Sequence, residues 1–416
     1  MQLLTSLLLM IVVARLLGAV FTRYGQPAIV GEMLAGVLLG PAILNLIQPN
    51  EALSGISQLA VFLVVLSAGL EMDFQRVVGA MRGRGLLLAI LGFALPFAGG
   101  ITIAWAYELD PMRMVFLGLC IAITALPVAV KLLGDLGMLE TPIARYAIAT
   151  ALLNDVVALF ILGVVLALPA ESNASDLWIS GATASLKLIG LVILVLGANS
   201  LIRQLERRGA NLSAASEKLI SVFGAEALFG LVVVFVLFFG MVSETLGFHF
   251  IIGAFFGALL LDRRQFTPAR FDDLKRTLAL VTTGFLSPIF FADMGLDFTF
   301  KALGQIDFVL VVLLVSIATK VLAGWWGGRL LGMSNREALG LGGVLNGRGV
   351  MELVVATIAY DRGFIGPTMF SVLVLMGAIT TLLSPVILGV SLDRAGRERY
   401  IRAHQPANAA PDPRER

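Results

Sequence analysis

The stretch ATALLNDVVALFIL, Ala149–Leu162, places an aspartate beside an asparagine in the middle of an otherwise apolar segment. On insertion scales, a charged side chain at the centre of a bilayer costs about 2.5–3.5 kcal/mol. Asp155 is therefore expected to face a protein interior or a water-filled path rather than lipid. Whether the segment crosses a membrane depends on the rest of the chain.

Composition predicts a polytopic helical membrane protein. Of the 416 residues, 58% are hydrophobic and 14% are charged, whereas a soluble domain carries about 25% charged residues. Apolar runs long enough for helical spans follow one another, and the short alternating segments of a barrel are absent. The first run lacks a basic start and a cleavage site, so we take it as a span and not as a signal peptide. A net charge of +2 from scattered basic residues does not indicate nucleic-acid binding.

Apolar runs separated by polar breaks predict thirteen spans. With the N-terminus outside, the cytoplasmic loops and the C-terminal tail hold 23 of the 30 lysines and arginines, as the positive-inside rule requires. We therefore expect a multi-pass protein of the cell membrane, plasma or inner, with a cytoplasmic C-terminus. The predicted spans are about 3–21, 28–46, 56–70, 86–107, 112–133, 143–168, 178–201, 217–242, 247–261, 277–292, 308–331, 337–360 and 368–391, and the cytoplasmic basic groups include Arg76, Arg82 and Arg84, and Arg263, Arg264, Arg270, Lys275 and Arg276.

Two motifs of the first half recur in the second half, each with a matching glycine. Gly31 matches Gly253 and Gly69 matches Gly295, at offsets of 222 and 226 residues. The offset is seven spans, an odd number, so the copies would cross the membrane in opposite directions, as in the inverted repeats of secondary transporters. The motif pairs are AIVGEMLAGVLLG (Ala28–Gly40) with FIIGAFFGALLLD (Phe250–Asp262), and FLVVLSAGLEMDF (Phe62–Phe74) with PIFFADMGLDFTF (Pro288–Phe300).

Two spans carry a break at equivalent places in this repeat. Pro127 lies in the middle of the fifth span, where it removes a backbone hydrogen bond, and Thr124 lies just before it. The twelfth span is interrupted by NGRG, Asn346–Gly349. Discontinuous helices at such places indicate the binding site of a secondary transporter. An ordinary proline kink and a glycine packing face are the alternative.

Eight ionisable side chains in the predicted spans or beside their ends are candidates for a functional or structural role. Asp155 and Lys320 lie about halfway along the sixth and eleventh spans, too far from an end to snorkel. They form either a neutralising buried pair or part of an ion path. Arg348 and Glu352 lie one turn apart, so a local pair and a functional role both remain open. The others are Arg15, expected to join helices; Glu32 and Glu226, for which both roles are equally open; and Asp293, expected to be structural or part of an entry path.

These residues carry a resemblance to a known family. Three segments resemble signatures of the monovalent cation:proton antiporter superfamily, in its second cation:proton antiporter family, over about residues 5–392. That family includes sodium/proton antiporters and the membrane domains of Kef-type potassium/proton systems. The resemblance implies the sodium/proton antiporter fold, an all-α polytopic bundle of 13 transmembrane helices with inverted repeats and crossed broken helices. The segments are QPAIVGEMLAGVLLGP (Gln26–Pro41), SPIFFADMGL (Ser287–Leu296) and LNGRGVMELVVATIAYDRG (Leu345–Gly363).

The same resemblance implies the domain organisation. Residues 1–392 would form one membrane transport domain, and a homodimer is implied, with the first and eighth spans as candidate contacts. The polar tail is expected to be disordered at its end. The expected parts are core helices at about 86–168 and 308–391, dimerisation and scaffold helices at about 3–70 and 178–292, and a polar cytoplasmic tail at 393–416.

The resemblance also implies a site at Asp155, where a cation and a proton would compete during alternating access. One carboxylate can hold either ion but not both, which suffices for one-for-one exchange, and Asn154, Thr124 and freed carbonyls of the fifth span would complete the oxygen ligands. The Asn154–Asp155 pair is typical of electroneutral members, which usually carry arginine where this chain has Lys320. These features conflict; we prefer electroneutral exchange, with Lys320 either a fixed counter-charge or a proton carrier. The implied accessory core residues are Arg348, Glu352, Asn346, Pro127, Glu32 and Asp293.

The main alternative is an ion-coupled symporter of a small organic anion on the same fold, because helix N-termini suit carboxylates. The scarcity of polar and aromatic residues at the predicted centre argues against it. An enzyme is not expected, since the chain has two histidines and no H-E-x-x-H, G-x-S-x-G or P-loop motif. We expect no cofactor. The expected partners are a proton, a monovalent cation, the lipid bilayer and a second copy; the sequence does not choose between Na⁺ and K⁺.

Overall fold

The computed structural model describes residues 3–71, 83–166, 174–208, 212–261 and 265–404. Several sequence predictions lie outside these residues. They concern the basic residues Arg76, Arg82, Arg263 and Arg264, the ends of two repeat motifs at 72–74 and 262, the last two residues of the sixth span, and residues 405–416 of the tail.

The described residues are helical almost throughout and contain no strand. A π-helical turn, Thr282–Leu286, joins α12 to α13, and a 3₁₀ helix, Phe300–Gln305, precedes α14. The α-helices are α1 Leu3–Arg23, α2 Ala28–Leu39, α3 Glu51–Glu71, α4 Arg84–Ala106, α5 Pro111–Ala122, α6 Leu126–Asp135, α7 Pro142–Leu166, α8 Ala174–Arg207, α9 Leu212–Phe223, α10 Ala225–Thr245, α11 Phe250–Leu259, α12 Pro268–Val281, α13 Ser287–Leu296, α14 Ile306–Leu330, α15 Asn335–Leu345, α16 Val350–Asp361, α17 Pro367–Ser391 and α18 Arg394–His404.

Ten helical segments of the described chain are long and apolar enough to cross a membrane. The bent pair α15 and α16 forms an eleventh candidate. Two further apolar helices, α2 and α11, have only 12 and 10 residues. The all-α polytopic class is therefore confirmed, whereas the number thirteen stays a prediction.

Two predicted spans have different limits in the structure. The predicted eighth span is divided at Gly224, whose φ of 86° lies in the left-handed region that favours glycine. The predicted tenth span begins too late, because the helical run starts at Pro268 and its first turns, PARFDDLKR, are polar. Proline at a first helical position loses no hydrogen bond. Hydropathy therefore missed these turns, which belong to the same run as α13.

The chain folds into two compact units. One comprises Met1–Val78 and Val157–Phe298, and the other comprises Gly79–Val156 and Thr299–Arg416. The assignment of a transport core and a dimerisation scaffold stays a prediction.

In the first unit, the matched glycines make matching contacts. Gly31 of α2 lies against the backbone of α1, and Gly253 of α11 lies against the backbone of α10. Gly69 of α3 lies against Ala258 of α11, and Gly295 of α13 lies against the backbone of α2. A side chain at any of these positions would meet its neighbour, so glycine permits the helices to approach closely. The sequence repeat is thus a repeat of helix contacts.

In the second unit, a glycine pair outside the matched motifs shows the same periodicity. Gly100 of α4 lies against the backbone of Gly118 of α5, and Gly324 of α14 lies against that of Gly342 of α15. The second pair follows the first by 224 residues. The periodicity therefore extends to both units.

Candidate functional site

The two predicted interruptions are helix breaks in the structure, and they touch each other. Residues 123–125 separate α5 from α6, and residues 346–349 separate α15 from α16, which are bent by 41°. The N–H of Ala125 donates to the carbonyl of Gly347 at 3.0 Å. The Thr124 hydroxyl donates to the carbonyl of Leu345 at 3.1 Å. Both breaks lie in the second unit.

The sequence explains why the chain breaks at these places. Pro127 lies in the first turn of α6, where a missing N–H costs little. It cannot donate to the carbonyl four residues earlier, that of Ile123, so this acceptor is left without a helical donor. At the second break, a Cβ on Gly349 would lie 2.8 Å from the Cβ of Ala125. The glycine therefore allows the two breaks to approach.

The Lys320 ammonium lies at the carbonyl end of α5. Its Nζ donates to the carbonyl of Gly92 at 2.9 Å, to Thr124 Oγ1 at 2.7 Å and to the carbonyl of Ala122. An ammonium has three N–H donors, and these three acceptors use all of them. A helix C-terminus carries partial negative charge, so the cation lies where the field of α5 favours it.

Arg348 approaches the same end of α5 from the second break. Its Nη1 donates to the carbonyls of Cys120 and Ile123, at 2.7 and 2.6 Å. Thr381 of α17 holds the backbone of Arg348, accepting from its N–H at 3.0 Å and donating to its carbonyl at 2.9 Å. Arg348 therefore satisfies the carbonyl that Pro127 leaves open.

Gly92 is a site residue that sequence reasoning missed. Its carbonyl accepts from Lys320 and, at 3.5 Å, from Nδ2 of Asn154. Pro96 lies four residues later inside α4 and has no N–H to offer that carbonyl. A proline within the predicted fourth span was the signal that could have located this acceptor.

Asp155 is buried in α7, with 1% of its surface exposed. Lys320 is the charged group that interacts with it electrostatically. Within the part of the chain that the structure describes, Oδ1 of Asp155 has no hydrogen-bond partner. The carboxylate therefore keeps an acceptor atom available, while the ammonium is bound to other oxygens.

Two of the expected kinds of cation ligand, the Thr124 hydroxyl and the freed carbonyls, already make hydrogen bonds in this structure. The carbonyls at the end of α5 accept from Lys320 and Arg348, and Thr124 both accepts from Lys320 and donates to Leu345. The cause is that side-chain cations neutralise the exposed end of α5. A transported ion that used Thr124 or these carbonyls would compete with Lys320 and Arg348 for them.

The accessory residues divide between the two units. Asn346, Arg348 and Glu352 are buried in the second unit, where Nδ2 of Asn346 donates to the carbonyl of Thr380 at 3.0 Å. The first unit contains the accessory residues Glu32 and Asp293, together with Arg15 and Glu226, which are not in the accessory set. There Glu32 is buried and interacts electrostatically with Arg15, which donates to the Thr283 carbonyl of the π-helical turn at 3.3 Å; Asp293 is half-buried in α13, and Glu226 is exposed in the first turn of α10.

A bundle of apolar helices with two touching breaks and buried ionisable side chains defines the class of secondary transporters. Such residues inside spans commonly mark ion and proton paths.

The chain belongs to the sodium/hydrogen exchanger family, because the family profile described as "Sodium/hydrogen exchanger, transmembrane" matches residues 8–393. It is 26% identical to the Na(+)/H(+)-K(+) antiporter GerN of Bacillus cereus, over 91% of this chain and 94% of that protein. It is 27% identical to a Na(+)/H(+) antiporter of Enterococcus hirae, over 92% and 96% of the two chains. These matches confirm the resemblance to monovalent cation:proton antiporters and favour the antiporter over the symporter.

The fold is also that of a solved antiporter. The sodium proton antiporter MjNhaP1 from Methanocaldococcus jannaschii aligns with a TM-score of 0.69, covering 96% of this chain and 98% of that one. The sequence identity is 18%, so this similarity establishes the fold alone.

Proposed function

We propose that the protein exchanges Na⁺ or K⁺ for H⁺ by alternating access, with cation and proton competing for Asp155. The observation that carries the proposal is the buried Asp155 carboxylate, whose Oδ1 has no hydrogen-bond partner among the described residues. An unpaired buried carboxylate is costly unless a proton or a cation neutralises it. Because one carboxylate accommodates one of these ions at a time, their binding is mutually exclusive.

Lys320 acts in this scheme as a fixed counter-charge. Its three donors are all used on oxygens other than those of Asp155, and losing a proton would remove one of these bonds. Asn154, next to Asp155, supplies an amide without adding charge. Both Na⁺ and K⁺ accept oxygen ligands, and the similar protein GerN is named for both ions, as a Na(+)/H(+)-K(+) antiporter, which supports a site open to either.

We also propose a membrane topology and a role for each of the two units. Thirteen spans in inverted repeats place the N-terminus outside and the C-terminus in the cytoplasm of the cell membrane. The distribution of 23 of 30 basic residues to one side and the glycine contacts repeated after 224 residues support this topology. The second unit is the transport core, and the first is the scaffold through which two copies pair.

The test is a pH-gradient dequenching assay on proteoliposomes, with Na⁺, K⁺ and Li⁺ added in turn. We expect Asp155→Asn to abolish cation-coupled proton movement, because an amide does not take up a proton at neutral pH and carries no charge for which a proton and a cation could compete. The matched control is Glu226→Gln, which makes the same change at an exposed position of the other unit and should retain exchange. Exchange retained by Asp155→Asn would rule out Asp155 as the carrier.

A further inference from the structure

Glu352 is a second buried carboxylate of the transport core, and the proposed exchange at Asp155 leaves it without a role. It lies in the first turn of α16 and has no exposed surface. Among the described residues, neither Oε1 nor Oε2 has a hydrogen-bond partner. The carboxylate lies against Gly377 of α17, where a Cβ would be 3.1 Å from Oε2 and 3.4 Å from Oε1. The glycine thus makes room for the acid group.

The arginine one turn earlier does not bind this carboxylate. Arg348 directs Nη1 to the carbonyls of Cys120 and Ile123, and its Nε and Nη2 have no hydrogen-bond partner in the described chain. The local Arg348–Glu352 pair considered from the sequence is therefore not a hydrogen-bonded pair. The Arg348 guanidinium donates to carbonyls at the end of α5 and makes no hydrogen bond to the Glu352 carboxylate.

The ionisable groups around Glu352 come from three elements. Arg348 of the second break and Lys320 of α14 interact with it electrostatically, and the Cys120 thiol of α5 does so as well. The Sγ of Cys120 also lies 4.0 Å from the carbonyl of Glu352. On α17, the facing residue is Gly377, which is neutral. Two cations at longer range reduce the cost of the ionised form but satisfy neither oxygen.

A fully buried carboxylate without hydrogen bonds is unfavourable by several kcal/mol relative to water, and such a group neutralises instead. The proton is the neutralising ion that fits, because the described residues place no cluster of three or more His, Cys, Asp or Glu side chains that could hold a metal ion at this group. In this arrangement Glu352 therefore carries a proton and is a neutral carboxylic acid. A rearrangement of the broken helix that let water or Arg348 reach the group would favour the carboxylate, and the proton would leave.

We propose that Glu352 is a second proton-binding site of the transport cycle, loaded in the conformation seen here and emptied in the opposite one. The inference rests on the proposed exchange at Asp155 and adds to it. One proton then crosses on Asp155 in exchange for the cation, and a second crosses on Glu352. With Lys320 a fixed counter-charge, the exchange carries two protons per cation and moves net charge, in place of the electroneutral exchange preferred from the sequence.

The experiment measures the ratio of protons to cations in proteoliposomes at zero membrane potential. Against a tenfold Na⁺ gradient, net flux stops at about one pH unit for one proton per cation and at about half a unit for two. We expect net flux through the wild-type protein to stop at a pH difference of about half a unit. Net flux through Glu352→Gln, which should still exchange, is expected to stop at about one unit. Glu352→Asp, which keeps an acid at this place, should return toward the wild-type value.

Each outcome bears on a different claim. A wild-type balance at one unit, or a Glu352→Gln variant that exchanges with the wild-type ratio, would overturn the second proton site and leave exchange at Asp155 standing. A wild-type protein that exchanges no cation would overturn the proposed function itself. Should Glu352→Gln fail to fold, a wild-type balance near one unit would still overturn the second proton site. A balance near half a unit that persists in Lys320→Arg supports it, because arginine keeps its proton, and a Lys320→Arg variant that balances near one unit overturns it. Glu226→Gln is the control for replacement of an acid outside the core and should keep the wild-type ratio.

Discussion

The two helix breaks occupy equivalent places but are satisfied by different chemistry. Thr124 in the first break and Arg348 in the second are 224 residues apart, the same spacing as the paired glycines. The carbonyl end of α5 receives the ammonium of Lys320 and the guanidinium of Arg348. Among the described residues, the donors to the carbonyl end of α15 and the break after it are neutral: the Thr124 hydroxyl and the Ala125 N–H.

The two breaks share their backbone geometry but differ in their electrostatics. The backbone geometry, two half-helices meeting at a break, occurs twice. The positive charge does not, because both cationic donors point to the first break. The positive charge is therefore concentrated at one of two similar breaks. The buried acids Asp155 and Glu352 both interact electrostatically with Lys320, and Glu352 also interacts with Arg348.

The largest expected effect comes from removing the charged donor of one break. Arg348→Met leaves two buried carbonyls without their donor, and hydrogen bonds to charged groups contribute about 1.5–3 kcal/mol each. We expect a loss of about 3 kcal/mol in the free energy of unfolding, measured by denaturation in detergent. Thr124→Val removes the hydroxyl that donates to the carbonyl of Leu345 and accepts from Lys320. It should cost about 2 kcal/mol, less than Arg348→Met, because only one of its two hydrogen bonds involves a charged group. Equal losses for the two variants would mean that the charge difference between the breaks does not matter for stability.

An intermediate effect should distinguish the repeated glycines. In Gly342→Ala the new Cβ would lie 2.6 Å from the carbonyl oxygen of Val321, whereas in Gly118→Ala it would meet the Phe97 ring and the Phe97 carbonyl at 3.0 Å. Overpacking costs about 1–3 kcal/mol, so we expect losses of about 2 and about 1 kcal/mol in the same denaturation assay. Gly190→Ala, which has open space around it, is the control and should lose nothing. A larger loss for Gly118→Ala than for Gly342→Ala would show that the helix contact of α5 tolerates an added Cβ less well than that of α15.

The smallest effect concerns the helix that carries Asp155. The N–H of Ile143 in the first turn of α7 donates to the Tyr400 hydroxyl of α18. The equivalent helix, α17, begins at Pro367 after the N-cap Gly366 and has no side-chain cap. Tyr400→Phe should loosen α18 by about 1 kcal/mol, measured as faster hydrogen exchange of the α18 amides. Burial raises the pKa of Tyr400 to about 12, above its ordinary value of about 10.

The sign of the pH dependence follows from that shift. Because the folded protein holds the Tyr400 proton more tightly, the stabilisation is complete below about pH 10 and declines as pH rises toward 12. Tyr400→Phe should show no such decline in α18. The quantity to compare is the protection factor, the measured exchange rate relative to the intrinsic base-catalysed rate. A wild-type protein whose α18 protection factors do not fall over this range would contradict the contact.

Local features of the sequence were sufficient for the class and for the position of the breaks. Hydropathy depends on neighbouring residues only, so the apolar segments and the buried position of Asp155 could be predicted. Pro127 and NGRG also act locally, and both predicted breaks are present. Hydropathy failed at the polar start of α12 and did not predict α18, whose Tyr400 packs into a cluster with Ile143 and Leu392.

The sequence by itself determined that the chain is a membrane-embedded helical bundle with two interrupted helices and acids inside it, because composition, proline and glycine act over a few residues. Only the tertiary structure decided which atoms those charges meet. That Lys320 serves the carbonyls of Gly92 and Ala122, and that Arg348 turns from Glu352 to α5, depends on residues some 200 positions apart being brought together. Hydrogen bonds form over about 3 Å, so their partners are set by packing and leave little trace in the pattern of the chain.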